Sequence, residues 1–135
     1  RITEITATTR RELRALILAG LDESEDFNQM ERRIRTKFKE ITRSRARTIA
    51  TTEVGSAANF AIDEGLRQSG VVAKRRWIAT FVNTRDTHAE LHSQEVDIGQ
   101  PFEVDGKQAM RPGGFGVPEE DINCRCTVVA AAFNQ

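Results

Sequence analysis

The sequence predicts an α+β fold, with amino-terminal long helices followed by a small, loop-rich β-containing domain, and three observations carry that expectation. The first 70 residues contain no proline. Apolar residues recur there every three or four positions, the helical period. After Gly70 the texture changes to short β-like runs, and all three prolines follow. The chain thus divides into a helical region over residues 1–70 and a small α+β unit over 71–135.

The first helix is expected from about Thr9 to Ala19, with Leu13, Leu16 and Ile17 on one stripe and Gly20 as its stop. Leu21-Asp-Glu-Ser-Glu-Asp then makes an acidic turn. A second helix should start near Ser24 or Asp26, where carboxylates suit a helix amino terminus, and run along the stripe Phe27, Met30, Ile34, Phe38 and Ile41. A third begins near Arg45 and carries Ile49, Val54, Ala57, Ala58, Ala61, Ile62 and Leu66 before Gln68-Ser-Gly-Val ends it. Periodicity leaves open whether the second and third helices are continuous. Beyond them, Trp77-Ile-Ala-Thr-Phe-Val reads as a strand, and Asp86 to Leu91 as one or two helical turns. Val104-Asp-Gly-Lys carries an Asp-Gly turn signal, and Cys126-Thr-Val-Val-Ala makes a final strand.

A length of 135 residues, 39% hydrophobic and 30% charged, suits one compact domain with a helical arm. No apolar run approaches the roughly 20 residues that span a bilayer, so a membrane protein is not expected. Beginning at Arg1 with neither Met nor an apolar leader, the sequence reads as a piece of a longer polypeptide. Formal charge is zero overall but uneven. Residues 1–50 hold 12 Lys or Arg against 8 Asp or Glu, and residues 51–135 hold 8 against 12, which suggests different partners for the two halves.

The basic excess is concentrated in Arg32, Arg33, Arg35, Lys37, Lys39, Arg43, Arg45 and Arg47. On the outer face of an amphipathic helix, such a row would neutralise several phosphates and bind double-stranded DNA without regard to sequence; the alternative is a solvated face or one that meets an acidic partner. His88 and His92 stand four apart, which on a helix puts both rings on one face. Cys124 and Cys126 flank one residue of a strand-like run, so both sulfurs point one way and Arg125 the other. The thiols are too close for a loop-stapling disulfide and imply a reducing compartment. Together His88, His92, Cys124 and Cys126 could make a tetrahedral zinc site, and zinc would supply folding energy where the core is small. The bland reading has the cysteines as small residues packed at a strand edge, with His88 bonded to a loop. An enzymatic reading uses a cysteine as nucleophile, His88 as base and Asp86 or Glu90 as its orienting group, but no nucleophile elbow, phosphate loop or zinc-protease motif accompanies it.

Several fragments in order resemble the phage Mu F-like minor head proteins of tailed double-stranded DNA phages, a family found also in prophages and at the front of some bacterial polymorphic toxins. They are Ala46-Arg-Thr-Ile-Ala-Thr-Thr-Glu-Val, Trp77 opening a strand, Arg85-Asp-Thr-His-Ala-Glu-Leu-His, Pro101-Phe and Asn123-Cys-Arg-Cys-Thr-Val, covering roughly residues 45–130. Arg85 and His88 match the family's pair three apart, while Ser93 stands where that pattern has glycine. The resemblance implies a protein present in few copies inside the head, assembled in the host cytoplasm, in contact with the portal protein and associated with packaged DNA. It also implies that Glu53, Trp77, Arg85, His88, Asn123, Cys124, Arg125 and Cys126 form a structural hub rather than a catalytic site. The alternative is a carrier domain for a toxin or enzyme whose catalytic part lies elsewhere.

Overall fold

A computed structural model describes residues 7–38, 42–81 and 84–135, and among these the mixed architecture is as expected. Three helices come first: α1 (Ala7–Asp22), α2 (Phe27–Lys37) and α3 (Arg43–Ser69). Then follow β1 (Val72–Ile78), α4 (Asp86–Leu91), β2 (Glu95–Asp97), β3 (Phe102–Val104), β4 (Lys107–Ala109), α5 (Pro118–Asp121) and β5 (Thr127–Phe133). No described helix is long and apolar enough to cross a membrane.

Gly20 does not stop α1. The helix continues to Asp22, and the left-handed residue that turns the chain is Ser24, at φ 57°. Gly20 is there for close packing, because a Cβ on it would lie 2.5 Å from Glu25 Oε1 and 3.2 Å from Met30 Sδ. Asp26 then caps α2 in a reciprocal box with Gln29: each side chain takes the other residue's backbone N–H. Phe38 closes α2, and Thr42 opens α3 by accepting from Arg45 N, so the two helices are separate. Ile41 and Lys39 lie outside the described residues. Leu13 and Ile17 of α1, Met30 and Ile34 of α2, and Ala46, Ile49 and Ala50 of α3 close a first core.

At 27 residues α3 is roughly 40 Å long, and it ends on Gly70 at φ 71°. Its second half faces a three-stranded antiparallel sheet with strand order β2-β1-β5. The junction is polar and buried. Asn59 donates to Cys126 O and accepts from Val128 N, and Asp63 bonds both Arg75 and Arg111. Gly55 lets the chain at Cys124 approach, since a Cβ there would sit 3.3 Å from Cys124 O.

Trp77 does not open its strand. It is the next-to-last residue of β1, which begins at Val72 and runs through Lys74-Arg-Arg. Those charges hide the strand in the sequence, yet Lys74 pairs with Asp97 and Arg76 with Glu95 across β2. Register shifts between Val72 and Arg75 against β5 change the phase of the strand, so that Arg75 and Trp77 both face inward with no exposed surface. The Asp105-Gly106 turn joins β3 to β4 with both residues in the left-handed region, at φ 54° and 74°, as a two-residue hairpin requires. A second core gathers Trp77, Ala79, Leu91, Phe102, Val104, Cys124, Cys126 and Val128.

Candidate metal centre and its basic surround

The short helix α4 presents His88 inward, and the loop after α5 brings Cys124 and Cys126 to it. Both cysteines are buried while Arg125 between them is exposed, so the alternation expected of a strand holds, although β5 starts only at Thr127. Asn123 sets up this approach from the left-handed region at φ 58°, a conformation asparagine tolerates, and its N–H donates to Thr52 Oγ1 of α3.

His88 Nδ1 lies 3.7 Å from Cys124 Sγ and 3.4 Å from Cys126 Sγ, and all three potential ligand atoms fall within 4.8 Å of one another. An ion bonded to sulfur at about 2.3 Å and to nitrogen at about 2.0–2.1 Å, at tetrahedral angles, holds those atoms roughly 3.5–3.6 Å apart. The observed edges bracket that length, so this donor set fits a tetrahedral ion with three protein ligands. His92 does not join it. Its Nδ1 accepts from Ala79 N, and its ring packs edge-on against Phe81. The i, i+4 spacing failed as a guide because α4 ends at Leu91, leaving His92 as a cap with φ −54° and ψ 128°. Next comes Ser93 at φ 70°, which explains why the related pattern has glycine there.

The far side of His88 is also organised. Nε2 lies 3.2 Å from Glu120 Oε1, a carboxylate that is itself buried and takes hydrogen bonds from Thr87 Oγ1 and Lys107 Nζ. Glu120 is held below the ordinary carboxylate range: its burial pushes the other way, but bonds from Thr87 and Lys107 outweigh it. Asp86 and Glu90, the expected orienting groups, are exposed instead. Sequence spacing could not find Glu120, which stands 32 positions from His88 in Pro118-Glu-Glu-Asp and looks like a solvated turn. Trp77 meets the His88 ring edge-on at 5.5 Å, and Phe115 stacks on it at 6.0 Å. Arg85 donates to Glu120 O and Ile122 O, both at 2.6 Å, clamping the α5 turn onto the start of α4.

The hydrogen bond between the two thiols moves their pKa values in opposite directions. Cys126 is lowered to about 7, first by the hydrogen bond from Cys124, against burial, with help from the Trp77 indole and the Arg85 charge. Cys124 is pushed up by that same bond and by burial. The cavity beside the cluster, lined by Thr80, Thr84, Arg85 and Asn123 among others, measures about 10 Å³, room for about one water molecule.

The basic residues do not form one helical row. Arg32, Arg35 and Lys37 are exposed on α2, whereas Arg33 is half-buried and bonded to Glu23 at 2.7 Å and Glu25 at 2.8 Å. Arg43 and Arg47 belong to α3 and reach back to buried Glu31, at 3.3 Å and 3.8 Å; Arg47 also covers the Phe27 ring. Arg45, on the next face of α3, is half-buried. Glu53 of the motif pairs with Arg14 of α1 at 3.0 Å, tying α1 to α3.

The family model described as "Phage Mu protein F like protein" matches residues 11–129. The chain is 36% identical over 117 residues to "NAD(+)--arginine ADP-ribosyltransferase EFV" of Enterococcus faecalis (strain ATCC 700802 / V583), covering 84% of this chain and 24% of that protein. It is 32% identical over 92 residues to "Uncharacterized protein YqbB" of Bacillus subtilis (strain 168), covering 64% of this chain and 30% of that one. The chain therefore spans less than a third of the length of either relative. No solved structure matches it.

Proposed function

The chain belongs to the phage Mu protein F-like family, and from that premise we propose that it serves as a minor head protein of a tailed double-stranded DNA phage or prophage. In this reading it is assembled in the host cytoplasm, ends in the head interior, contacts the portal protein and associates with packaged DNA through charge. The observation that carries the proposal is the family match across residues 11–129, supported by exposed arginines on α2 and α3. If it is right, the protein retards duplex DNA of arbitrary sequence at low salt, and the affinity falls steeply as salt rises. A protein that leaves duplex DNA free at 50 mM salt, roughly the low end of the usual range, would lack the DNA part of this role.

His88, Cys124 and Cys126 would hold zinc in this protein, as a structural clasp rather than a reaction centre. Zinc bound there would supply a cross-link between α4 and the loop after α5, while Glu120 keeps the His88 ring oriented so that Nδ1 faces the sulfurs. The Cys126–His88–Glu120 arrangement resembles a nucleophile, base and orienter, but the cavity that Cys126 and His88 line together measures only about 10 Å³.

A second reading is favoured by one of the relatives, whose name assigns it an ADP-ribosyltransferase activity. Here the chain would be a carrier domain, with any catalytic part lying in the remaining three quarters of such a protein.

A further inference from the structure

We propose that the phosphate-binding surface of this protein is a cleft between the first turns of α3 and the Asn123–Arg125 segment, with Arg43, Arg47 and Arg125 as its cationic walls. This deepens the DNA association proposed above and rests on it.

Arg43 and Arg47 stand one helical turn apart on α3, and Arg125 faces them from the loop, so the three line a cavity of about 500 Å³ together with Thr48, Thr51 and Asn123. Thr48 and Asn123 also line a neighbouring cavity of about 600 Å³, into which Arg45 and Arg85 project. The two spaces share Thr48 and Asn123 in their walls, and guanidinium groups line the first from both α3 and the loop. A convex row of charges attracts a polyanion; a concave one with donors on both walls also positions it. Glu31 partly offsets Arg43 and Arg47 from behind, and this holds their side chains in place at the cleft wall. Arg125 is exposed and makes no ion pair among the described residues. Guanidinium pairs of this kind fit the successive phosphodiester groups of one DNA strand, with the hydroxyls of Thr48 and Thr51 available as further donors. Arg33 takes no part, because Glu23 and Glu25 engage it elsewhere.

The test measures binding of a fluorescent 20-base-pair duplex by anisotropy, across a salt series (a probe length of roughly two helical turns). The proteins are the unaltered chain, Arg125→Ala, Arg47→Ala and, as a control of equal charge change, Arg76→Ala. Arg76 pairs with Glu95 on the β1–β2 edge, outside the cleft. The expected result is that Arg125→Ala and Arg47→Ala each weaken binding roughly tenfold near 50 mM salt and reduce the salt slope by about 0.9, while Arg76→Ala changes neither by more than a small amount. Arg125 is exposed, so its variant keeps the fold, and circular dichroism checks this; Arg47 packs on Phe27 and its variant serves as the second line. If the duplex binds but the cleft variants behave like Arg76→Ala, the cleft is overturned and DNA association survives on α2. If the unaltered chain binds no duplex at low salt, both ideas fall together.

Discussion

At the scale of single residues, Glu120 and the two cysteines decide what the centre does. Glu120 Oε1 stands 3.2 Å from Nε2 while Nδ1 faces the sulfurs, the arrangement by which an outer carboxylate orients a ligating histidine. About one zinc per chain is expected by elemental analysis, and none after Cys124→Ser combined with Cys126→Ser. Glu120→Gln should retain zinc but bind it on the order of 10–100-fold more weakly in competition with a chelator. A folded, metal-free protein would sink the clasp. Equal zinc affinity in the glutamine variant would sink only the role of Glu120. The cysteines were legible because alternation along a strand puts both sulfurs on one side, whereas the spacing that singled out His88 brought in His92 wrongly. Glu120 was not legible, since its partnership with His88 is made by the chain folding back. Arg75 was hidden for another reason: Lys74-Arg-Arg reads as surface charge, yet its middle member stands two residues before Trp77 and shares the buried face, onto Asp63 and over the Phe102 ring.

At the scale of elements, the α1–α2 corner is held by charge where the chain turns too sharply for apolar packing alone. The hydrogen bond between Arg33 and Glu25 raises the pKa of the arginine and lowers that of the carboxylate. A carboxylate with a lowered folded pKa contributes stability that is fully present above its ordinary value of 4.5 and is lost as pH falls through the lower folded value. Melting curves between pH 3 and pH 6, roughly the carboxylate range, should therefore fall less steeply with acid for Arg33→Gln than for the unaltered chain. Parallel curves would remove Glu25–Arg33 from the account. The start of α2 was well marked in the sequence, because Asp26 carries the oxygen a first turn needs, whereas α3 is capped by Thr42, three residues before the expected Arg45. Helix ends were marked less well: Gly20 signals a stop by type, yet it lies inside α1 with the ends of the Glu25 and Met30 side chains packed against it.

At the scale of the molecule, the helices close one core and the sheet closes another, and α3 belongs to the first and is bonded to the sheet through Asn59 and Asp63. Metal removal should act on these unevenly. A zinc clasp at His88, Cys124 and Cys126 stabilises only the form that has it assembled, so the melting temperature should rise with free zinc. Amide exchange after chelation should increase first in residues 84–91 and 118–128 and only later in α3. A uniform increase would mean that the clasp is not local. The order of helices then sheet was legible from periodicity and proline placement. The pairing of β1 with β5 was not, because it joins Val72 to Phe133 and no local signal spans that distance.

That pairing bears on synthesis. Strand β1 has β2 on one side and β5 on the other, so half of its hydrogen-bonding edge stays open until residue 133 has left the ribosome. The buried residues of the first core all lie within the first 50 and can gather early, with Ile122 added later, whereas Trp77, Arg75 and the thiols must wait with incomplete surroundings. During that interval the nascent chain exposes a free strand edge. The charged residues Lys74 and Arg76 on that strand are therefore also its protection against pairing with the wrong chain before its own last strand arrives.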